Sequence, residues 1–364
     1  MTMDSRGNLS LLFIPDISGF TKFVTINEIN HSQHIIAELL EIIIDSDELG
    51  LTVSEIEGDA VLFYEYRKVP PVDKILTQTK KTFLAFHNHL KRYERDRVCE
   101  CGACSTASQL SLKIIAHTGN ITLINVKDHK KPYGPDVILV HRLLKNKIKE
   151  NEYLLFTDHS FGKLKESDLE SYKDWAKITG GSTSYEDLGE ISYKYIPLSP
   201  LYDHVTAPEP VTPRKKISGP IVKEIYIERP PDELFELISS LELRPQWTRN
   251  LEQIDFDRRK VNRVGTEHVC VLDGKELKFE TVTNDFGEDK QVYGERLMNA
   301  PLMKEVTNYF IFEARGSGTK LRVESHYFPF PVIGWLFKPF FKSAMAKNLE
   351  NLLDSLKEYS EKGC

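Results

Sequence analysis

The sequence predicts an α+β protein of two domains, and three observations carry that prediction. The chain has 364 residues, more than one ordinary domain holds and enough for two. Pro197, Pro200, Pro208, Pro210, Pro213 and Pro220, with Arg214-Lys215-Lys216 among them, interrupt any periodic pattern and have linker composition. The patterning also differs on the two sides of that break. Helices alternate with paired strands before it, and a run of strands closed by one long helix follows it. The domains are therefore drawn at residues 1–198 and 219–364, with a linker over 199–218.

In the first domain Leu9–Ile17 is mostly apolar and reads as a buried strand. Residues 32–44 set Ile35, Ile36, Leu39, Leu40 and Ile43 on one helical face. Leu51–Tyr66 reads as a hairpin turning at Glu57-Gly58-Asp59. A second helix covers 72–93. Leu110–Val126 reads as a second hairpin around His117-Thr118-Gly119, and His117 is assigned no role. A third helix over 136–146 and a strand over Tyr153–Phe156 complete a sandwich, with helices on one face of a largely antiparallel sheet.

In the second domain Val222–Ile227 alternates as a strand, and Pro230-Pro231 opens a helix that carries Leu234, Phe235, Leu237, Ile238 and Leu241. Strands follow over 267–272, 277–283, 291–297, 306–313 and 320–327. The last helix, 334–359, lines Phe337, Phe341, Met345, Leu349, Leu352 and Leu356 along one side. A curved sheet gripping a helix accounts for this order.

Composition excludes several classes. With 40% apolar and 28% charged residues the chain is neither disordered nor collagen-like. Lys plus Arg is 48 and Asp plus Glu is 54, a net charge of −6, so the footprint of a general nucleic-acid binder is missing. The apolar start ends at Asp16, too early for a secretory segment. No apolar run reaches the roughly 20 residues that span a bilayer. Five cysteines, three of them between Cys99 and Cys104, do not form a disulfide framework for this length. A cytoplasmic location is expected.

Two carboxylates stand out by position. Asp16 ends a strand and Asp59 sits in a hairpin turn, and carboxylates at adjacent strand ends can converge on Mg²⁺ or Mn²⁺. Taken alone they also read as a helix cap and a turn residue.

Four strings around them resemble the class III nucleotidyl cyclases. LLFIPDISGFTKF (11–23) resembles the first metal motif and EIEGDAVLFY (55–64) the second. IIAHTGNI (114–121) resembles the G-x-H-x-G strand, and YGPDVILVHRLL (133–144) the helix that carries an asparagine and an arginine. The resemblance covers residues 9–160 and implies a ferredoxin-like, cyclase-type sandwich that pairs head to tail as a homodimer. It implies Asp16 and Asp59 as metal ligands, and Ile17, Gly19 and Phe20 as nucleotide-binding residues. Arg142 takes the catalytic, transition-state position. The metal carboxylates would come from one partner and the remaining site residues from the other. The asparagine position holds Ile138, which offers no hydrogen bond, and losing one such oriented group costs orders of magnitude in rate. The purine-reading positions hold Glu55 and Lys131. This charge-reversed pair, drawn from opposite subunits, serves base recognition or a structural bridge across the dimer.

Cys99, Cys101 and Cys104 form C-E-C-G-A-C and could supply three ligands to structural Zn²⁺. His87 or His89 is the expected fourth ligand, with Cys270 a poorer one. The alternative is a loop of reduced cysteines without metal.

The second half resembles the START-like helix-grip (SRPBCC) superfamily, in its polyketide-cyclase-like branch, through IYIERPPDELFELISSLELRPQW (225–247) and VGTEH (264–268). That implies a domain that binds an apolar small molecule. Trp247, Phe279, Tyr309, Phe312, Phe328, Trp335 and Phe340 either line such a cavity or fill it. The segment FPFPVIGWLFKPFF (328–341) could alternatively touch a membrane or a partner.

The functional expectation is a two-domain sensor or adaptor whose cyclase-like half is catalytically impaired. The alternatives are an active guanylate or adenylate cyclase regulated by a ligand of the second domain, and a carrier of lipid or polyketide-type ligands.

Overall fold

The computed structural model describes residues 9–27, 29–99, 101–157, 166–206, 219–284, 286–287, 290–298, 300 and 303–362. The chain divides into two compact units, one around each of two seven-stranded sheets.

The first sheet is built on β1 (Leu9–Ser18), which is buried from Ser10 to Ile17. Continuous burial is why its sequence is mostly apolar and does not alternate. After β1 come α1 (Phe20–Ile26), α2 (Ile29–Asp45), the hairpin β2 (Thr52–Glu57) and β3 (Ala60–Glu65), and α3 (Val72–Arg95). The short α4 (Gly102–Thr106) leads into β4 (Ser111–Asn120). The sheet order β2-β3-β1-β4, with every pair antiparallel, is the ferredoxin-like arrangement expected from the sequence. It is extended by β7 (Tyr153–Thr157), parallel to β4, and by β9 (Gly189–Pro197) and β8 (Thr179–Tyr185). α5 (Pro135–Leu143) packs Val137, Val140 and Leu143 against Leu12 and Ile14 of β1. Leu11 and Phe13, which point the other way, are buried as well, so the sheet is covered on both faces rather than one.

The second expected hairpin is not formed. β4 runs straight through His117, Thr118 and Gly119, which pair with Leu12, Leu11 and Ser10. The strand after it, β5 (Thr122–Val126), pairs with β6 (His129–Tyr133) as a separate ribbon. Gly119 serves close packing instead of a turn, since a Cβ there would lie 2.2 Å from Cγ of Asp136.

The second unit is an antiparallel meander. Its first strand, β10 (Ile221–Ile227), pairs with its last, β16 (Gly318–Pro329). Between them lie α6 (Pro231–Ser239), α7 (Arg244–Trp247), β11 (Leu251–Asp255), β12 (Glu267–Leu272), β13 (Lys275–Val282), β14 (Gln291–Leu297) and β15 (Met303–Arg315). The 32-residue α8 (Pro331–Lys362) closes the unit. It buries Leu349, Leu353 and Leu356, and Ser355 Oγ donates to the Trp247 carbonyl at 2.6 Å. The side chains of 331–339 and 341, Trp335, Phe337 and Phe341 among them, lie outside the described residues. Among the described residues no helix is long and apolar enough to cross a membrane.

Candidate nucleotide and metal site

The two carboxylates singled out in the sequence meet at one end of the first sheet. Asp16 lies opposite Ala60 on β3 and opposite Lys113 on β4, and Ile17 N–H donates to the Asp59 carbonyl at 2.9 Å. The β2–β3 turn that presents Asp59 needs Gly58, whose φ of 63° is left-handed. Phe20 at the start of α1 lies over that glycine, and Gly19 before it is also left-handed, at φ 90°. Ile17 is buried and contributes its backbone.

Lys113 Nζ stands 3.1 Å from Asp16 Oδ1. Burial pushes the Asp16 carboxyl above its ordinary value, Lys113 pulls it back, and the charge of Asp59 pushes it up again. The Asp59 carboxyl is raised too, chiefly by burial. Two partly desolvated carboxylates thus share one ammonium group, an excess of negative charge that a hard divalent cation would relieve.

These residues open onto a cavity of about 590 Å³ that Ile138, His141 and Arg142 of α5 also line. Both carboxylates and the arginine border one cavity within the chain. The reason is that α5 packs directly on β1 and β4. Arg142 is half exposed and lies 3.8 Å from Asp187. Ile138 is 57% exposed at the cavity wall, and its side chain offers no hydrogen bond.

Glu55 and Lys131 do meet, but within one chain and not across a dimer: Lys131 Nζ donates to Glu55 Oε2, because the β5–β6 ribbon folds back beside β2. His141 joins the group, with Nδ1 3.5 Å from Glu57 and Nε2 3.9 Å from Glu55. Lys113, Glu57 and His141 were missed from sequence. Only the β1–β4 register places Lys113 on Asp16.

His117, given no role from sequence, holds α5 in place. Its Nδ1 bonds Thr157 Oγ1 at 2.7 Å and its Nε2 bonds Asp136 Oδ1 at 2.9 Å, while Asp136 Oδ2 accepts from Asn120 N–H at 2.7 Å. This clamp fixes the first turn of the helix that carries Ile138, His141 and Arg142.

The expected fourth ligands of the cysteine cluster are engaged elsewhere. His87 Nε2 bonds Glu152 at 2.7 Å, and His89 Nε2 bonds Glu38 at 2.8 Å. Cys270 is buried on β12 opposite Leu277.

In the second unit Trp247 and Tyr309 are buried, and the Trp247 indole donates to the Leu237 carbonyl at 2.9 Å. Phe279 stacks on His268 with centroids 5.2 Å apart. Phe340 is 70% exposed and neither lines nor fills a core. A buried polar group that the sequence reading did not include lies beside them. Arg244 and Glu295 form an ion pair, and Tyr293 donates to Glu295 at 2.7 Å. Burial works against the Glu295 charge, yet Arg244 and His268 hold its carboxyl below the ordinary range.

The second unit matches the model of polyketide cyclases, dehydrases and lipid-transport proteins over residues 220–361. Residues 36–153 match a family described as a protein of unknown function, DUF2652. Among solved structures, the chain is similar to the guanylate cyclase domain of RhGC from Catenaria anguillulae, solved with GTP, at 14% identity and TM-score 0.38, over 53% of this chain and 97% of that one. It is also similar to a START superfamily protein from Mycobacterium smegmatis at 18% identity and TM-score 0.32, over 40% of this chain and 98% of that one. At these values nothing of what those proteins bind passes to this chain. Motifs, sheet order and family match together describe a cyclase-type fold followed by a polyketide-cyclase/START-like domain. The uncharacterized protein Rv2561/Rv2562 of Mycobacterium tuberculosis is 32% identical over 163 residues, which are 45% of this chain and 73% of that protein. The chain belongs to the same family as that mycobacterial protein.

Proposed function

We propose that this is a cytoplasmic, homodimeric sensor or adaptor. Its first domain binds a nucleoside triphosphate with Mg²⁺ or Mn²⁺ and turns it over poorly, and its second binds an apolar small molecule that regulates the first. The observation that carries this reading is the convergence of Asp16, Asp59 and Arg142 on one cavity of about 590 Å³, within the range of small-molecule sites. Two raised carboxyls with one lysine suit a metal whose remaining ligands are phosphate oxygens. Arg142 supplies a fixed cation for the phosphate chain. Poor turnover follows from Ile138, which occupies the place of an oriented amide and offers no hydrogen bond to the developing charge. The ion pair of Glu55 with Lys131 leaves both side chains satisfied before any base arrives, which favours weak discrimination between purines.

An active guanylate or adenylate cyclase is the second reading, favoured by the presence of Arg142 beside both carboxylates. A carrier of lipid or polyketide-type ligands is a third, favoured by the family match of the second domain.

Equilibrium binding of fluorescent GTP and ATP analogues, with and without Mn²⁺, tests the proposal. Metal-dependent binding that Asp59→Ala removes supports it. Nucleotide binding that is absent, or indifferent to metal, would overturn it and leave the carrier reading.

A further inference from the structure

Lys113 is a cation built into the wall of the nucleotide cavity, beside both of its metal-binding carboxylates. Side chains alternate across β4, and Ile115 and His117 project from the face that meets α5, where Ile115 joins the core and His117 bonds Asp136. Two residues earlier on the same face comes Lys113, directly across from Asp16 in the β1–β4 register. Both side chains are largely buried, so their ion pair at 3.1 Å is partly shielded from water. The charge of Lys113 also acts on Asp59. One ammonium group therefore serves the two carboxylates that the nucleotide reading gives to the metal.

The fixed charges around the cavity are already balanced. Asp16, Glu57 and Asp59 stand on its wall with Lys113, Arg142 and Lys145. Phosphoryl-transfer sites that hold two divalent ions set them about 3.5–4 Å apart, one for the attacking and one for the leaving oxygen. Here one cation position beside the carboxylates is filled by the chain itself, since Lys113 Nζ lies at hydrogen-bonding distance from Asp16 Oδ1. A second divalent ion would have to displace the ammonium or bear its repulsion at close quarters, where burial weakens screening.

We infer that Lys113 is a resident cation that takes the place of a second metal ion, so that the site binds its nucleoside triphosphate with a single divalent ion. Asp16 and Asp59 hold that ion, and Lys113 keeps the Asp16 carboxylate oriented and its charge offset. Lys113 is a positioning residue: it acts through Asp16, and no bond to it forms or breaks. The same ammonium competes for Asp16, so the metal alone binds weakly and enters chiefly with the phosphate oxygens that complete its ligands. The inference rests on the nucleotide reading above and fixes the metal stoichiometry of that site.

Mn²⁺ binding by the full chain, followed by electron paramagnetic resonance of the free ion, tests this without any turnover. With equimolar 3′-deoxy-GTP, which cannot cyclise, the wild-type protein should bind one Mn²⁺ per chain. Lys113→Met, which keeps the length of the side chain and removes its charge, should bind two. Without nucleotide the same variant should bind Mn²⁺ about fivefold more tightly than wild type, as the competing ion pair is lost. Lys113→Gln should match Lys113→Met, so the result does not hang on the folding of one variant, and Lys113→Arg should restore the single ion. Two ions on the wild-type chain with nucleotide would overturn the inference while leaving the nucleotide reading intact. An unchanged count and an unchanged Mn²⁺ affinity in both neutral variants would overturn it as well. A wild-type chain that binds neither Mn²⁺ nor the nucleotide would instead sink the nucleotide reading, and this inference with it.

Discussion

Replacing Asp16 by asparagine should stabilise the metal-free protein while removing its affinity for divalent metal. Asp16 is 7% exposed and stands 3.1 Å from Lys113. Burial and the charge of Asp59 oppose its ionisation, Lys113 favours it, and the balance leaves the carboxyl above its ordinary value of 3.8. A raised acid holds its proton more tightly in the folded chain than in the unfolded one. Its contribution to stability is complete below 3.8 and is lost as pH rises through the elevated folded value. At pH 7 the ionised group is therefore a net cost, and asparagine keeps the shape without the charge. Relief of such a functional-site cost gains about 0.5–2 kcal/mol. Loss of the lysine contact returns up to about 1 kcal/mol, and Lys113 still has Asp59 beside it. The net gain of about 0.5–1 kcal/mol corresponds to a rise of roughly 1–4 °C in Tm. Urea unfolding and thermal melts in chelator, at pH 7 and pH 5, measure it, and the gain should shrink at the lower pH as the wild-type carboxyl takes up its proton. Destabilisation by more than about 1 kcal/mol at pH 7 would refute this reasoning, because Asp16 would then be a structural anchor and not a strained ligand.

Three further outcomes are expected. Glu295→Gln strands the buried Arg244 guanidinium and should cost about 3–5 kcal/mol in urea unfolding, whereas a cost below about 1 kcal/mol would mean that Tyr293 and solvent already satisfy it. Ile138→Asn, at a position 57% exposed, should leave stability within about 0.5 kcal/mol and raise any nucleotide turnover by about a hundredfold; no change in rate would mean that the missing amide is not what limits the site. His268 is held neutral by burial, at about 4 against an ordinary 6.5, so its contribution is complete above 6.5 and is lost as pH falls toward 4. Unfolding followed from pH 7 to pH 4 should show that loss, and His268→Gln should flatten it.

The parts of the fold legible in sequence are those where one local pattern decides the outcome. The apolar run of β1, the Gly58-Asp59 turn and the faces of α2 and α3 each follow from residues close together in the chain. β8 and β9 were not foreseen, since Thr179-Gly180-Gly181-Ser182 is polar and glycine-rich and the strand lies mostly exposed at the sheet edge. Gly119 misled for a different reason. A glycine demanded by the approach of Asp136, 17 residues away in sequence (136 − 119), looks the same in one dimension as a glycine demanded by a turn. The same limit applies to the sites. Asp16, Asp59 and Arg142 were visible because they sit in recognisable strings. Lys113 and His141 become visible only once register and helix placement bring them beside those strings.

The most direct test of the nucleotide site is product formation by the full chain under saturating Mn²⁺ with GTP or ATP, run beside Asp59→Ala and alongside a binding measurement on the same preparation. Bound nucleotide with little or no cyclic product, and loss of that binding in Asp59→Ala, is the result predicted by a cavity that keeps Asp16, Asp59 and Arg142 but presents Ile138. Rapid formation of cyclic nucleotide that Asp59→Ala removes would contradict it, and would make the second domain the regulator of a working cyclase.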